Sequence, residues 1–181
     1  MPKNRFQFKI TVIGDGAVGK SSLIKQFTQS SFKEEYIKTI GAQFSVYDKT
    51  IDDDAIKLLF WDIAGQDEFN FLRPSFFNNS KAAIIVYSLE EENELGKVSF
   101  EHVHDWHEDV KHHCGDIPVV LFANKVDLVK ESQINKVKIE RLVEEEQFLN
   151  YCLTSAKTGE GVVEAFNELI EILYRNALLT I

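Results

Sequence analysis

The chain has 181 residues, 44% hydrophobic and 27% charged, which excludes a disordered polymer and suits one domain with a substantial core. Lys plus Arg total 20 against 29 Asp plus Glu, so the net charge is −9 and a general basic face for nucleic acid is excluded. The two cysteines, Cys114 and Cys152, have neither metal-ligand spacing nor a disulfide framework, and no apolar run is long enough to span a bilayer.

In chain order, residues 6–13 alternate and then turn apolar, which predicts a strand entering a core. Residues 14–19 form a glycine-rich turn. Residues 20–29 have helical spacing, with Leu23, Ile24 and Phe27 on one face. Residues 44–51 and 56–61 predict a hairpin separated by Asp52-Asp53-Asp54. Residues 82–89 and 118–123 are nearly continuous apolar runs, as in strands buried on both faces of a parallel sheet. Residues 98–110, 134–148 and 162–173 predict helices, and residues 151–153 a last short strand. No linker or repeat divides the chain, so residues 1–181 read as a single domain. Strands alternating with helices predict an α/β fold, a mostly parallel six-stranded sheet with helices on both faces. In such sheets the ligand lies at the carboxyl ends of the strands.

The candidate site residues fall there. Gly14-Asp15-Gly16-Ala17-Val18-Gly19-Lys20-Ser21 matches GxxxxGK[ST] between a predicted strand and a predicted helix. The cradle runs through Asp15, Gly16, Ala17, Val18, Gly19, Lys20, Ser21 and Ser22. Its backbone N–H groups and the helix N-terminus suit phosphate oxygens, Lys20 reaches the β- and γ-phosphates, and Ser21 ligates Mg²⁺. Trp61-Asp62-Ile63-Ala64-Gly65-Gln66 ends another strand. There Asp62 can hold Mg²⁺ through water, the Gly65 N–H can approach a γ-phosphate, and Gln66 can orient an attacking water.

Asn124-Lys125-Val126-Asp127 and Thr154-Ser155-Ala156-Lys157 follow the next strands on the same sheet edge. Guanine carries adjacent N1–H and N2–H₂ donors that a carboxylate at Asp127 can accept together, and adenine lacks that pair. Asn124 can donate to N7, the Lys125 stem can cover the ring, and the Ala156 N–H can reach O6. Ser155 and Lys157 complete this loop's candidate contacts.

GDGAVGKSS at residues 14–22, TIG at 39–41, WDIAGQ at 61–66, NKVD at 124–127 and TSAK at 154–157 resemble the motifs of small GTPases of the Ras superfamily, over residues 6–174. The segments at residues 36–41, 72–77 and 155–159 are most similar to the Rab branch. The resemblance implies the P-loop NTPase, small G-protein fold and a GTP/GDP switch that controls effector binding in membrane trafficking. It implies that Thr39 ligates Mg²⁺ and senses the γ-phosphate, that Phe32 packs on the base edge and Tyr36 over the phosphates, and that Gln66 is catalytic. The implied catalytic set is Gln66, Lys20, Thr39 and Gly65, and the metal set is Ser21, Thr39 and Asp62. Gly16 leaves room beside the γ-phosphate. The chain departs from the usual Rab pattern at Ile63, Asp67, Glu68 and Ala123, and since no cysteine follows Cys152 no lipid-bearing tail is expected. The expectation is therefore a cytoplasmic, monomeric protein without a membrane anchor of its own, which reaches a membrane only through a tail or a partner. Its expected partners are effectors, exchange factors and GTPase-activating proteins, met through the two switches.

The stretch 32–40 contains Lys33 and Lys38 but no arginine, and the only arginines are Arg5, Arg73, Arg141 and Arg175. Slow unaided hydrolysis is expected, with an arginine supplied in trans. A nucleotide-binding module with negligible hydrolysis is the alternative reading, and a kinase built on the same cradle is disfavoured by the base-reading motifs. Ile40, Phe44, Phe69, Phe71 and Phe76 are candidates for an effector patch, with core packing favoured for at least half of them. His102, His104, His107, His112 and His113 read as a polar helix face rather than a metal site. The Glu90-Glu91-Glu92 and Glu144-Glu145-Glu146 runs read as solvated faces.

Overall fold

The protein is described here by a computed structural model covering residues 3–29, 41–65, 73–90 and 93–180. Its apolar runs become the strands β1 (Arg5–Ile13), β2 (Ala42–Ile51), β3 (Asp54–Ile63), β4 (Ala82–Ser88), β5 (Val119–Asn124) and β6 (Tyr151–Thr154). They form one sheet in the order β2-β3-β1-β4-β5-β6. Only β2 runs antiparallel to its neighbour, with Phe44 opposite Trp61; β1 pairs in parallel with both β3 and β4. The strands β4 and β5, apolar but for Ser88 and Asn124 at their ends and the Tyr87 hydroxyl, are buried along their entire length.

Helices cover both faces. The helices α1 (Lys20–Gln29) and α6 (Val162–Leu178) lay Leu23, Phe27, Phe166 and Leu169 against Ile10, Leu58, Phe60 and Phe122 of the sheet. Phe166 is the centre of this core: it stacks on Phe27 at 4.5 Å and meets Phe60 and Phe122 edge-on at 5.3 and 5.2 Å. On the opposite face lie α2 (Arg73–Phe77), α3 (Glu94–Glu101), α4 (Val103–Cys114) and α5 (Lys136–Glu146). Phe77, Val103, Trp106, Val110 and Ile139 pack there on Ile13, Ile85, Tyr87 and Leu121. Ile63 and Ala123, two of the departures from the Rab pattern, are both buried in this second core.

The structure adjusts the sequence reading in several places. The hairpin turns on Asp52 and Asp53 alone, which take the left-handed φ values of 48° and 69°. Asp54, read as part of that turn, begins β3 and is buried, where it accepts from the Asn4 backbone N–H at 2.8 Å and the Tyr174 hydroxyl at 3.0 Å. The helix read over 98–110 is two segments. The first starts earlier because the Asn93 side chain caps it by accepting from the Gly96 N–H. The joint is His102, still in the right-handed region (φ −79°, ψ −5°), and the second segment stops at Gly115. The helix read over 134–148 occupies only Lys136–Glu146, since Asn135 caps its start and Gln147 turns left-handed after it. The last helix extends beyond residue 173 to Leu178, and the short α2 carries no periodicity from which to read it.

The acidic run at 144–146 is not a uniform solvated face. Glu146 is largely buried and holds both His104 and His107, each Nδ1 lying 2.6 Å from one carboxylate oxygen. This pair of contacts fastens α4 to α5, and among the described residues no group of three or more His, Cys, Asp or Glu side chains is arranged to hold a metal ion. The hydrogen bond and charge of Glu146 raise the His104 pKa. Burial pushes the Glu146 carboxyl up, but the two imidazoles outweigh it and hold it below its ordinary value. The histidine contribution to stability is complete below about pH 6.5 and lost as pH rises through the raised value, while the glutamate contribution is present above about pH 4.3 and lost in acid. Glu146→Gln is therefore expected to lower Tm by about 2–4 °C at pH 5.5 and by less at pH 8.5, read by circular dichroism melts. An equal loss at both pH values would show that the pair carries no charge-dependent stability.

Candidate functional site

Because the strands other than β2 run in parallel, the loops after β1, β3, β5 and β6 all emerge on one edge. The loop after β1 begins at Gly14, where φ is 136° and a Cβ would lie 2.1 Å from the Val86 carbonyl oxygen, so only glycine can pass there. Lys20, the first residue of α1, is buried and folds back over the loop. Its Nζ donates to the carbonyls of Gly14 and Asp15, both at 2.8 Å. At the next residue the Ser21 hydroxyl donates to Asp62 Oδ2, which joins the first turn of α1 to the end of β3. The hydroxyl and carboxylate oxygens gathered there are the hard donors that Mg²⁺ prefers.

Gly65 continues from β3 directly against the first loop. A Cβ on it would lie 2.2 Å from the Gly14 carbonyl oxygen and 2.6 Å from the Gly16 nitrogen, so the backbones touch because no side chain intervenes. Phe32, Tyr36, Thr39 and Gln66 lie outside the described residues, as do Ile40, Phe69 and Phe71.

Asn124 ties the remaining loops together. It is 1% exposed; its Nδ2 donates to the Val18 carbonyl at 2.8 Å, and its Oδ1 accepts from the Ala156 N–H and the Thr154 hydroxyl, both at 3.2 Å. The side chain read as a base contact is thus also a bracket between the first loop and the last, and the Ala156 N–H read as reaching the base donates to that bracket. Asp127 is exposed beside it, one oxygen accepting from the Ser155 hydroxyl at 2.6 Å. Lys125 takes a left-handed backbone, φ 69°, and its Nζ lies 2.6 Å from Glu90 Oε2.

Glu90 is not the solvated charge that its acidic run predicts, since it is mostly buried under Lys125. Ser88 and Asn93 also donate to it, at 2.9 and 3.0 Å. Burial pushes its carboxyl up, but the hydrogen bonds from Lys125 and Ser88 win and hold it below the usual range. Asp15 has a second role that its place in the loop does not suggest. Its backbone belongs to the loop, but its carboxylate points to α3 and α4, accepting from Trp106 Nε1–H at 2.8 Å and lying 2.8 Å from His102 Nδ1. Neither partner has a motif that sequence could flag. The only available signal is an acidic residue placed in a loop built for anions.

Next to this edge an aromatic row lies across β2, β3 and α2. Phe44, 62% exposed, stacks on Trp61 with centroids 5.9 Å apart, and Trp61 meets Phe76 at 5.8 Å. Lys9 Nζ sits 4.3 Å from the Trp61 ring centroid. Of the residues read as a patch, Phe44 is therefore on the surface and Phe76 half-buried; Trp61 completes the row.

The sequence profile of the Ras family matches residues 9–175. The chain belongs to the Ras family. It is 34% identical over 175 residues to the Ras-related protein Rab-1 of Theileria parva, covering 96% of this chain and 77% of that protein. It is 34% identical over 169 residues to the Ras-related protein Rab-5A of Dictyostelium discoideum, covering 93% and 81%. It is 37% identical over 169 residues to the GTP-binding protein YPT53 of Saccharomyces cerevisiae, covering 90% and 74%. The chain is accordingly a Rab-like small GTPase, a GTP-hydrolysing switch on the P-loop fold, and like its family it binds guanine nucleotide and meets effectors, exchange factors and activating proteins. Among the described residues of this GTPase, no helix is long and apolar enough to cross a membrane.

Proposed function

We propose that the converging loops of this Rab-like GTPase hold GTP through the residues described above. The observation that carries this reading is the Asn124 bracket, because one buried side chain fixes the phosphate loop at Val18 and the base loop at Ala156 in a single frame. In this reading the loop from Asp15 to Ser22 cradles the phosphates, and Asp127 selects guanine while Ser155 fixes its orientation. Asn124, Lys125, Ala156 and Lys157 line the base, with Phe32 and Tyr36 closing over the nucleotide. Ser21, Asp62 and Thr39 would hold Mg²⁺, which neutralises phosphate charge when bound. Gln66 orients the water, and Lys20 and the Gly65 N–H face the γ-phosphate.

The switch follows from what hydrolysis removes. Thr39 and Gly65 lose their γ-phosphate contact, and the two segments relax. The row Phe44–Trp61–Phe76, whose residues adjoin both segments in the chain, serves as the apolar anchor for effectors, with a role in membrane trafficking. Unaided turnover is slow, because the charge that an arginine finger contributes, worth roughly 10³–10⁵ in rate, must come from a partner. The test is single-turnover phosphate release from protein loaded with GTP. Gln66→Leu is expected to slow release at least about tenfold with little change in GTP affinity. Fast unaided release by the unaltered protein, or normal release by the variant, would contradict the mechanism.

A further inference from the structure

An aspartate in a phosphate cradle is electrostatically adverse. Asp15 sits between Gly14 and Gly16, and its carbonyl oxygen helps hold the Lys20 ammonium. A carboxylate left to swing there would repel a polyphosphate and compete for Lys20. The structure turns it outward. Its side chain is 15% exposed, with one oxygen on the indole N–H of Trp106 and the other on the imidazole of His102. His102 and Trp106 are four residues apart, so they share a helix face and present their donors side by side across the α3–α4 joint. Trp106 is 6% exposed and anchored in the second core, which makes it a rigid post. The same Asp15 peptide is where Gly65 abuts the loop, its Cβ position being 2.5 Å from the Asp15 carbonyl carbon.

We propose that Trp106 and His102 are positioning residues for nucleotide binding: they clamp the Asp15 carboxylate away from the phosphates, and this clamp sets how long bound nucleotide stays. The proposal rests on the guanine-nucleotide reading above. Loss of one clamp donor has two effects, both weakening phosphate binding: the Asp15–Gly16 peptide is less firmly fixed, and negative charge can return toward the cradle.

The test measures dissociation of a fluorescent GDP analogue from the full chain with Mg²⁺ present, with melting temperature read in the same samples. Trp106→Phe keeps a ring in the core and removes the donor. Release is expected to become about ten- to a hundredfold faster. In an Asp15→Ser background the same Trp106→Phe change should add less than about twofold, because the charge needing a clamp is gone. His102→Ala, at a half-exposed position, tests the other donor without touching the core and should accelerate release in the same direction. Should Trp106→Phe fail to fold, His102→Ala with and without Asp15→Ser gives the same comparison. Unchanged release in the single variants overturns the proposal. So does an equal acceleration with and without Asp15, since that is the pattern of general core loosening. Failure of the unaltered protein to bind the analogue at all would instead overturn the nucleotide reading.

Discussion

Asp127→Asn is expected to move the base preference from guanine to xanthine. The exposed Asp127 carboxylate has one oxygen held by the Ser155 hydroxyl. The other edge stays open to the two adjacent donors of guanine. An asparagine keeps an oxygen for Ser155 and turns its NH₂ toward the base, where it faces a guanine donor with a donor. A site built to accept hydrogen bonds and then left with a mismatched group loses affinity steeply, so GDP and GTP binding should fall by roughly 10²–10⁴-fold. Xanthine has a carbonyl where guanine has its amino group, and the new NH₂ can donate to it. Competition between xanthosine and guanosine diphosphates for the variant checks this. A variant that still selects guanine would mean that Asp127 does not read the base.

Ser21→Asn should separate the two nucleotide states. The Ser21 hydroxyl lies at the first turn of α1, in contact with Asp62 Oδ2. Asparagine removes the compact hydroxyl and pushes a larger amide into the space where the oxygen donors meet. The triphosphate depends more on metal-assisted charge neutralisation than the diphosphate does, so it loses more. GTP affinity is expected to fall by at least about 100-fold, with a smaller loss for GDP, leaving a protein trapped in the inactive state. Parallel titrations with both nucleotides at fixed Mg²⁺ measure the ratio. Equal losses for both would remove Ser21 from the metal set.

Much of this architecture was legible because the strands are either nearly continuous apolar runs, as in β4 and β5, or alternations, as in β1. The phosphate and base loops could be placed on one edge from strand order alone. What could not be read are interactions between groups distant in sequence. Asp54 looks like a third turn aspartate until Asn4 and Tyr174 are brought to it across the sheet. Glu90 and Glu146 look like solvent-facing charge until Lys125 in one case and two histidines in the other fold over them. The α3–α4 joint at His102 has no breaker residue to mark it, and its register matters because it aims His102 and Trp106 at Asp15. Sequence periodicity reports which face of an element is buried, but not which polar groups the tertiary fold pairs.

Displacement of a bound fluorescent guanosine diphosphate in the presence of Mg²⁺ tests the central claim most directly. GTP is expected to displace it at near-stoichiometric concentration, whereas ATP at about 1,000-fold excess should leave it in place, since adenine offers Asp127 no donor pair. Equal displacement by the two triphosphates, or no guanine-nucleotide binding at micromolar concentration, would contradict the account.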